Sequence, residues 1–340
     1  MATMTPAHTP IVPMWTASRN GPNTLRGEAG DRVMRPMVRE RPRGCPMPCL
    51  LGRSLGACAG GIFRGGSLRG ACGGRRWRMP AAAQPLLRPP LALSFAGYAD
   101  GADPRALIDR AHDLGFRAVA LDATRPGLRP RELDRSARRE LAALLRRLEL
   151  RCAGLDLWIP PAHFSDPART DRALDAAGAA CALAAELAAL APGSARAVVS
   201  LTLPEECPPP VRRDLEDRAA RVGARIADHA WPPAANEGAP DPNAPLGVGI
   251  DPAVLLLRKQ DPAAAASQHA HRIVSTRLSD SDGAVRVAPG KGGLDVAGYA
   301  VALATGGIGG DVVLDLRGLR GQDEIARDAL DAWANPGPWE

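Results

Sequence analysis

Much is missing from this 340-residue chain, and each absence removes a class of protein. Its seven cysteines form no disulfide framework. Cys45, Cys49, Cys58 and Cys72 show no zinc-ligand spacing and have no histidine among them. Cys152, Cys181 and Cys207 are scattered, as buried free thiols are. That usage fits a reducing, cytoplasmic location. No run reads as a membrane span: the most apolar stretch, 173–191, is mostly alanine and carries Asp175 and Glu186. No membrane partner is expected. The turn after the first strand-like run, GYADGADP, lacks the dinucleotide fingerprint, and PGKGG around Lys291 lacks the phosphate-loop spacing. A basic body is missing too. Residues 1–78 hold 13 arginines and no lysine against Glu28, Asp31 and Glu40, a net of +10. The rest holds 30 basic and 34 acidic residues, a net of −4. A body of that charge is no nucleic-acid footprint, so no nucleic-acid partner is expected.

Residues 1–78 also lack helical or strand periodicity and are rich in Gly, Pro and Arg. Such a segment buries too little apolar surface to offset its ordering entropy, so a disordered basic leader is expected. Met79-Pro80-Ala81 reads as an alternative start, which would make the leader upstream sequence. A basic tail for anionic surfaces is the other reading.

From residue 91 onward, what is present is regular. Short apolar runs alternate with Ala/Leu/Arg-rich helical stretches, which implies a parallel sheet. The runs are 92–97, 116–123, 150–159, 195–203, 224–230, 247–251, 272–280 and 311–318. Helices are expected near 104–114, 132–148, 167–191, 211–222, 262–270, 296–305 and 322–333. Eight strands with seven helices predict a (β/α)8 TIM barrel over 91–333. Its fifth helix is degenerate, because 231–245 contains five prolines. Most runs end in aspartate: Asp122, Asp156, Asp228, Asp251, Asp280 and Asp315. In such a barrel, C-terminal strand ends converge on one mouth where the chemistry sits.

GVGIDPAVLL, RIVSTRLSD followed by GKGGLDVAGYAVAL, and DVVLDLRG resemble segments of the sugar phosphate isomerase/epimerase family, the xylose isomerase-like TIM barrels. The resemblance implies one divalent metal held by a strand-five Glu, a strand-six Asp, a strand-seven His and a strand-eight Glu, the two Glu serving also as the acid–base pair. Carried over by position, these fall on Asp228, Asp251, Arg277 and Asp315. Only Asp251 keeps the family's residue type, and Val254 stands where the family has a second His. Asp228, Asp251 and Asp315 could hold Mg²⁺ or Mn²⁺ through hard oxygen ligands. Alternatively Arg277, which cannot ligate a metal, neutralises the carboxylates and leaves the metal site weak or absent. On that second view, an Arg277→His exchange restores metal binding.

The implied activity is isomerisation or epimerisation of a small carbohydrate-like substrate, with Asp228 and Asp315 as bases, Arg277 as electrophile and His163 reaching in from the loop after strand three. A non-catalytic barrel that binds a small polyol or sugar acid is the alternative. An abasic-site endonuclease fits less well, because it needs a basic face. Asp122 and Asp156 read as turn formers. His229 is expected behind the barrel, opposite Asp228. Trp158 and Trp231 are candidates to wall the site, and Arg317 to pair with a mouth carboxylate.

Overall fold

A computed structural model describes residues 88–335 apart from 100, 192, 194–195, 234–240 and 242. The expected leader, residues 1–78, and the alternative start at Met79 lie outside the described residues.

Eight parallel strands close into a barrel in the order β1-β10-β7-β6-β5-β4-β3-β2. They are β1 (Leu91–Ser94), β2 (Ala118–Asp122), β3 (Arg151–Asp156), β4 (Val198–Leu201), β5 (Arg225–Asp228), β6 (Leu246–Ile250), β7 (Ile273–Leu278) and β10 (Val312–Leu314). A two-stranded hairpin, β8 (Asp280–Ser281) with β9 (Arg286–Val287), rises after β7. This is the predicted TIM barrel.

The helices begin where the sequence supplies caps. Asp103 accepts from the Arg105 amide at the start of α1 (Pro104–Asp113), and Asp134 accepts from Ala137 at the start of α2 (Arg135–Arg147). α3 (Thr170–Leu190) is the one described helix long and apolar enough to cross a membrane. Leu174, Ala177, Cys181, Leu183 and Leu187 are buried on it, and it packs on α2, α4 (Pro209–Val222) and the strands beneath. Between β5 and β6 no helix stands among the described residues; the rest of 231–245 lies outside them. A helix that the sequence reading did not expect, α5 (Pro252–Leu257), precedes α6 (Pro262–His269). α7 (Val296–Thr305) and α8 (Gln322–Ala334) complete the ring.

Register fixes which side chains enter the barrel, because in-register neighbours in a parallel sheet share a face and faces alternate along a strand. Ser94 pairs with Ala120, Asp122 with Asp156, Asp156 with Ser200, Ser200 with Ala227 and Ala227 with Gly247. Gly249 pairs with Ser275, Arg277 with Val313 and Val313 with Ala92, which returns the circuit to β1. Apart from Val313, this inward set is small or polar. The large residues Leu121, Leu155, Leu201, Ile226, Ile250 and Leu314 lie on the other face and form the core with the helices. Cys152 and Cys181 are buried and Cys207 half-buried; burial pushes their thiols up to about 12, 12 and 11, so none is nucleophilic near neutrality.

Candidate functional site

The small inward residues leave room along the barrel axis for one large side chain, Arg277 on β7. It is 1% exposed and lies between two buried carboxylates. Its Nη2 donates to Asp156 Oδ1 at 2.6 Å and its Nη1 to Asp315 Oδ2 at 3.2 Å. Asp156 Oδ2 accepts from Ser94 Oγ at 2.6 Å. Above this pair lie two more guanidiniums. Arg286, on β9, donates to Asp251 Oδ2 at 2.6 Å and to Asp315 Oδ2 at 3.2 Å. Arg317 grips Asp315 through Nε, at 2.9 and 3.0 Å, and through Nη2 at 2.5 Å, and reaches Asp251 Oδ2 at 3.2 Å. Ser279 Oγ donates to Asp251 Oδ1 at 2.7 Å. Trp158 covers the group, its ring centroid 3.7 Å from the Arg317 Cζ and 4.9 Å from that of Arg277.

Three aspartates and three arginines thus form one neutral, buried network. Burial alone would raise the Asp315 carboxyl, but Arg277, Arg317 and Arg286 together hold it well below the usual carboxylate range. Asp251 is lowered despite its burial, chiefly by Arg286 and against the repulsion of Asp315. Burial disfavours the charged form of Arg277, yet Asp156, Asp315 and Asp251 hold its proton more tightly than usual.

Of the residues singled out in the sequence, Asp251, Arg277, Asp315 and Arg317 converge here. Asp228 does not. It pairs with Val248, so it faces outward from the barrel, and its Oδ1 accepts from the amides of Leu203 and Ala230 at 3.0 and 2.9 Å. The ligand set Asp228, Asp251 and Asp315 is therefore not assembled, and Asp228 is not placed as a base. His229 takes the inward position instead, which reverses the expectation for both residues. Its imidazole packs so closely on β6 that a Cβ on Gly249 would lie 2.6 Å from it. Burial, then the charge of Arg277, drive its pKa well below the ordinary value, and neither ring nitrogen has a hydrogen-bond partner among the described residues. His163 sits in the turn after β3 with its Nε2 2.8 Å from Arg169 Nη1, and no hydrogen bond joins it to the network.

Asp156 is a second correction. It is not a turn former but a main anchor of Arg277. Asp122 does form the expected turn, accepting from Thr124 N at 2.9 Å and Thr124 Oγ1 at 2.5 Å. Trp231 stacks edge-on against His269, 5.5 Å between centroids. The glycine loop around Lys291 wraps the chain's own carboxylate: Asp280 accepts from the amides of Gly290, Gly292, Leu294 and Ser281. Arg286 was missed, because a two-residue hairpin strand carries no periodicity.

A divalent ion at the family's position has to compete with this network. Asp315 Oδ2 already accepts from three guanidiniums, and Asp251 Oδ2 from two. Among the described residues no three His, Cys, Asp or Glu side chains stand close enough to hold a metal. Each guanidinium at 4 Å repels a dication by about 8 kcal/mol at an effective dielectric of 20. The donor set does not fit the metal.

No family model matches the chain, and no curated protein matches it. Solved structures do. A xylose isomerase domain protein from Planctomyces limnophilus is 17% identical, with 73% of this chain covering 96% of that one at a TM-score of 0.56. D-psicose 3-epimerase from Clostridium cellulolyticum, solved with D-tagatose, is 14% identical, with 72% covering 98% at 0.57. The IolI protein, solved with a bound zinc, is 14% identical, with 72% covering 96% at 0.53. The barrel has the xylose isomerase-like fold.

Proposed function

We propose that this barrel binds a small carbohydrate-like ligand, a polyol or sugar acid, at its C-terminal mouth without a divalent metal and without epimerising it. The observation that carries this reading is the saturation of Asp251 and Asp315 by Arg277, Arg286 and Arg317. Epimerisation needs two groups of opposed role whose proton affinity lies near the working pH. Asp315 is held far too acidic, and Asp228, the other implied base, is turned away. The isomerase or epimerase assignment of Asp228, Asp315, Arg277 and His163 loses its acid–base pair on those grounds.

Binding capacity remains. Arg286 and Arg317 keep 19% and 27% of their side chains exposed, whereas Arg277 is sealed. Arg317 Nη1 and Arg286 Nε make no hydrogen bond among the described residues, so each offers a charged donor at the mouth to a hydroxyl or carboxylate oxygen. The epimerases of the same fold make a carbohydrate-like ligand the natural first class to test, an argument from fold analogy.

The test is calorimetry of the full chain against a panel of ketoses, polyols and sugar acids, with EDTA or with Mn²⁺, and proton NMR of the same mixtures in deuterium oxide. The expected result is EDTA-insensitive binding of a polyol or sugar acid, weakened at least tenfold by Arg317→Ala, with no exchange at carbon. Manganese-dependent exchange of a carbon-bound proton would overturn the reading.

A further inference from the structure

The opposite end of the barrel carries a second polar feature. A cavity of about 280 Å³ opens among the N-terminal ends of β3, β4, β5, β7 and β10. At about 30 Å³ per water in the liquid, that is room for roughly nine waters or one small molecule. Arg196, just before β4, and Arg225, the first residue of β5, both line it. Neither forms an ion pair among the described residues. Arg225 Nε donates to the Ala244 carbonyl at 3.2 Å, and its two terminal nitrogens make no hydrogen bond there. The one carboxylate in the described lining, Asp311, is already paired with Arg151. Two like charges therefore share a cavity whose described lining holds no unpaired carboxylate, and Asp241, outside that lining, forms no ion pair with either among the described residues. Burial, then the proximity of Arg196, lower the proton affinity of Arg225, with Asp241 opposing.

The facing wall is the loop Gly306–Asp311. Neither Gly309 nor Gly310 has a φ in the left-handed region, and a Cβ would meet nothing within 4 Å at Gly310 and only the Gly307 carbonyl, at 3.9 Å, at Gly309. Neither glycine is required by the fold. Their amides donate to no acceptor among the described residues. Unneeded glycines with open amides suit close approach of a ligand to backbone, and consecutive free N–H groups suit an anion.

We propose that this N-terminal cavity is a binding site for a small oxyanion of phosphate or carboxylate type, gripped by Arg196 and Arg225 and backed by the amides of Gly309 and Gly310. A guanidinium fork matches either oxyanion in bidentate fashion. Ser275 lines the inner side of the cavity and supplies a hydroxyl. The site lies at the far end of the strands from the mouth network and does not depend on what the mouth binds.

The test is calorimetry on the full chain with inorganic phosphate and, separately, malonate. The expected result is one saturable site tighter than about 1 mM for at least one of the two. The tighter probe assigns the anion class. The double variant Arg196→Ala/Arg225→Ala should weaken binding at least tenfold. Should that double variant not fold, exposed Arg196→Ala alone and Gly310→Asp, which adds a like charge where a side chain meets open space, should each do the same. Wild-type binding of neither probe overturns the proposal. So does binding that survives these variants, and so does binding lost in Arg317→Ala, which would put the anion at the mouth.

Discussion

Replacing Arg277 by Met keeps most of the side-chain volume and removes the charge that joins Asp156 to Asp315. Arg286 and Arg317 still neutralise Asp315, but Asp156 retains only the Ser94 hydroxyl, in a site about 2% exposed. An uncompensated buried charge of this kind costs about 3–5 kcal/mol. With a urea m-value of about 3 kcal/mol/M, a loss of roughly 4 kcal/mol moves the midpoint down by about 1.3 M. In the wild type, Asp315 has a folded pKa below its unfolded value, so its stabilisation is full above about pH 4 and is lost as pH falls through the folded value. In the variant, Asp315 keeps Arg286 and Arg317, while Asp156 is left a buried carboxylate without its cation. Urea titrations of both proteins at several values between pH 4 and 8 measure this. A loss below about 1 kcal/mol would refute the account of Arg277 as the charge that holds the barrel centre together.

Asp228→Ala should lower stability by about 1–2 kcal/mol, since one buried and one half-buried amide lose their acceptor, yet leave ligand binding at the mouth unchanged; a melt and a calorimetric titration check the two halves separately. His229 is neutral in the fold with a pKa well below 6.5, so wild-type stability should fall as pH drops from about 6.5 toward that value, by up to about 1.4 kcal/mol per pH unit, and His229→Leu should remove that slope in denaturation measured between pH 5 and 7. Arg277→His returns an imidazole to the family's position, but Arg286 and Arg317 still occupy the carboxylates, so calorimetry with Mn²⁺ should detect no tight binding until those two are also replaced.

Much of this architecture is legible in the sequence. The alternation of runs and helices gives the barrel, and the aspartates at strand ends give most of the mouth. The faces were harder to read. Asp228 and His229 are adjacent, and only the shear of the closed barrel decides which one enters. A signal was present all the same. The inward strand-end groups follow a small residue two positions earlier in Ala120–Asp122, Gly154–Asp156, Gly249–Asp251 and Ser275–Arg277, with Val313–Asp315 the exception. Ala227–His229 fits that pattern, whereas Ile226–Asp228 does not. Asp156 reads as a turn former in the sequence because a carboxylate after a strand usually is one, and its partner is 121 residues away. Arg286 and α5 escaped because a two-residue strand and a six-residue helix are too short to show a period.

An axis built mostly from alanine, glycine, serine and ion pairs hides little hydrocarbon. Unfolding therefore exposes less apolar surface, and more polar surface, than it does in a barrel whose centre is stacked with branched aliphatic side chains. Newly wetted apolar area raises the heat capacity of unfolding, and newly wetted polar area lowers it. The hydration of charged groups also becomes less favourable on heating, so the network's desolvation penalty shrinks as temperature rises. Both effects flatten the curve of stability against temperature, and they do so from the middle of the molecule, where Arg277 stands in place of a hydrophobic plug.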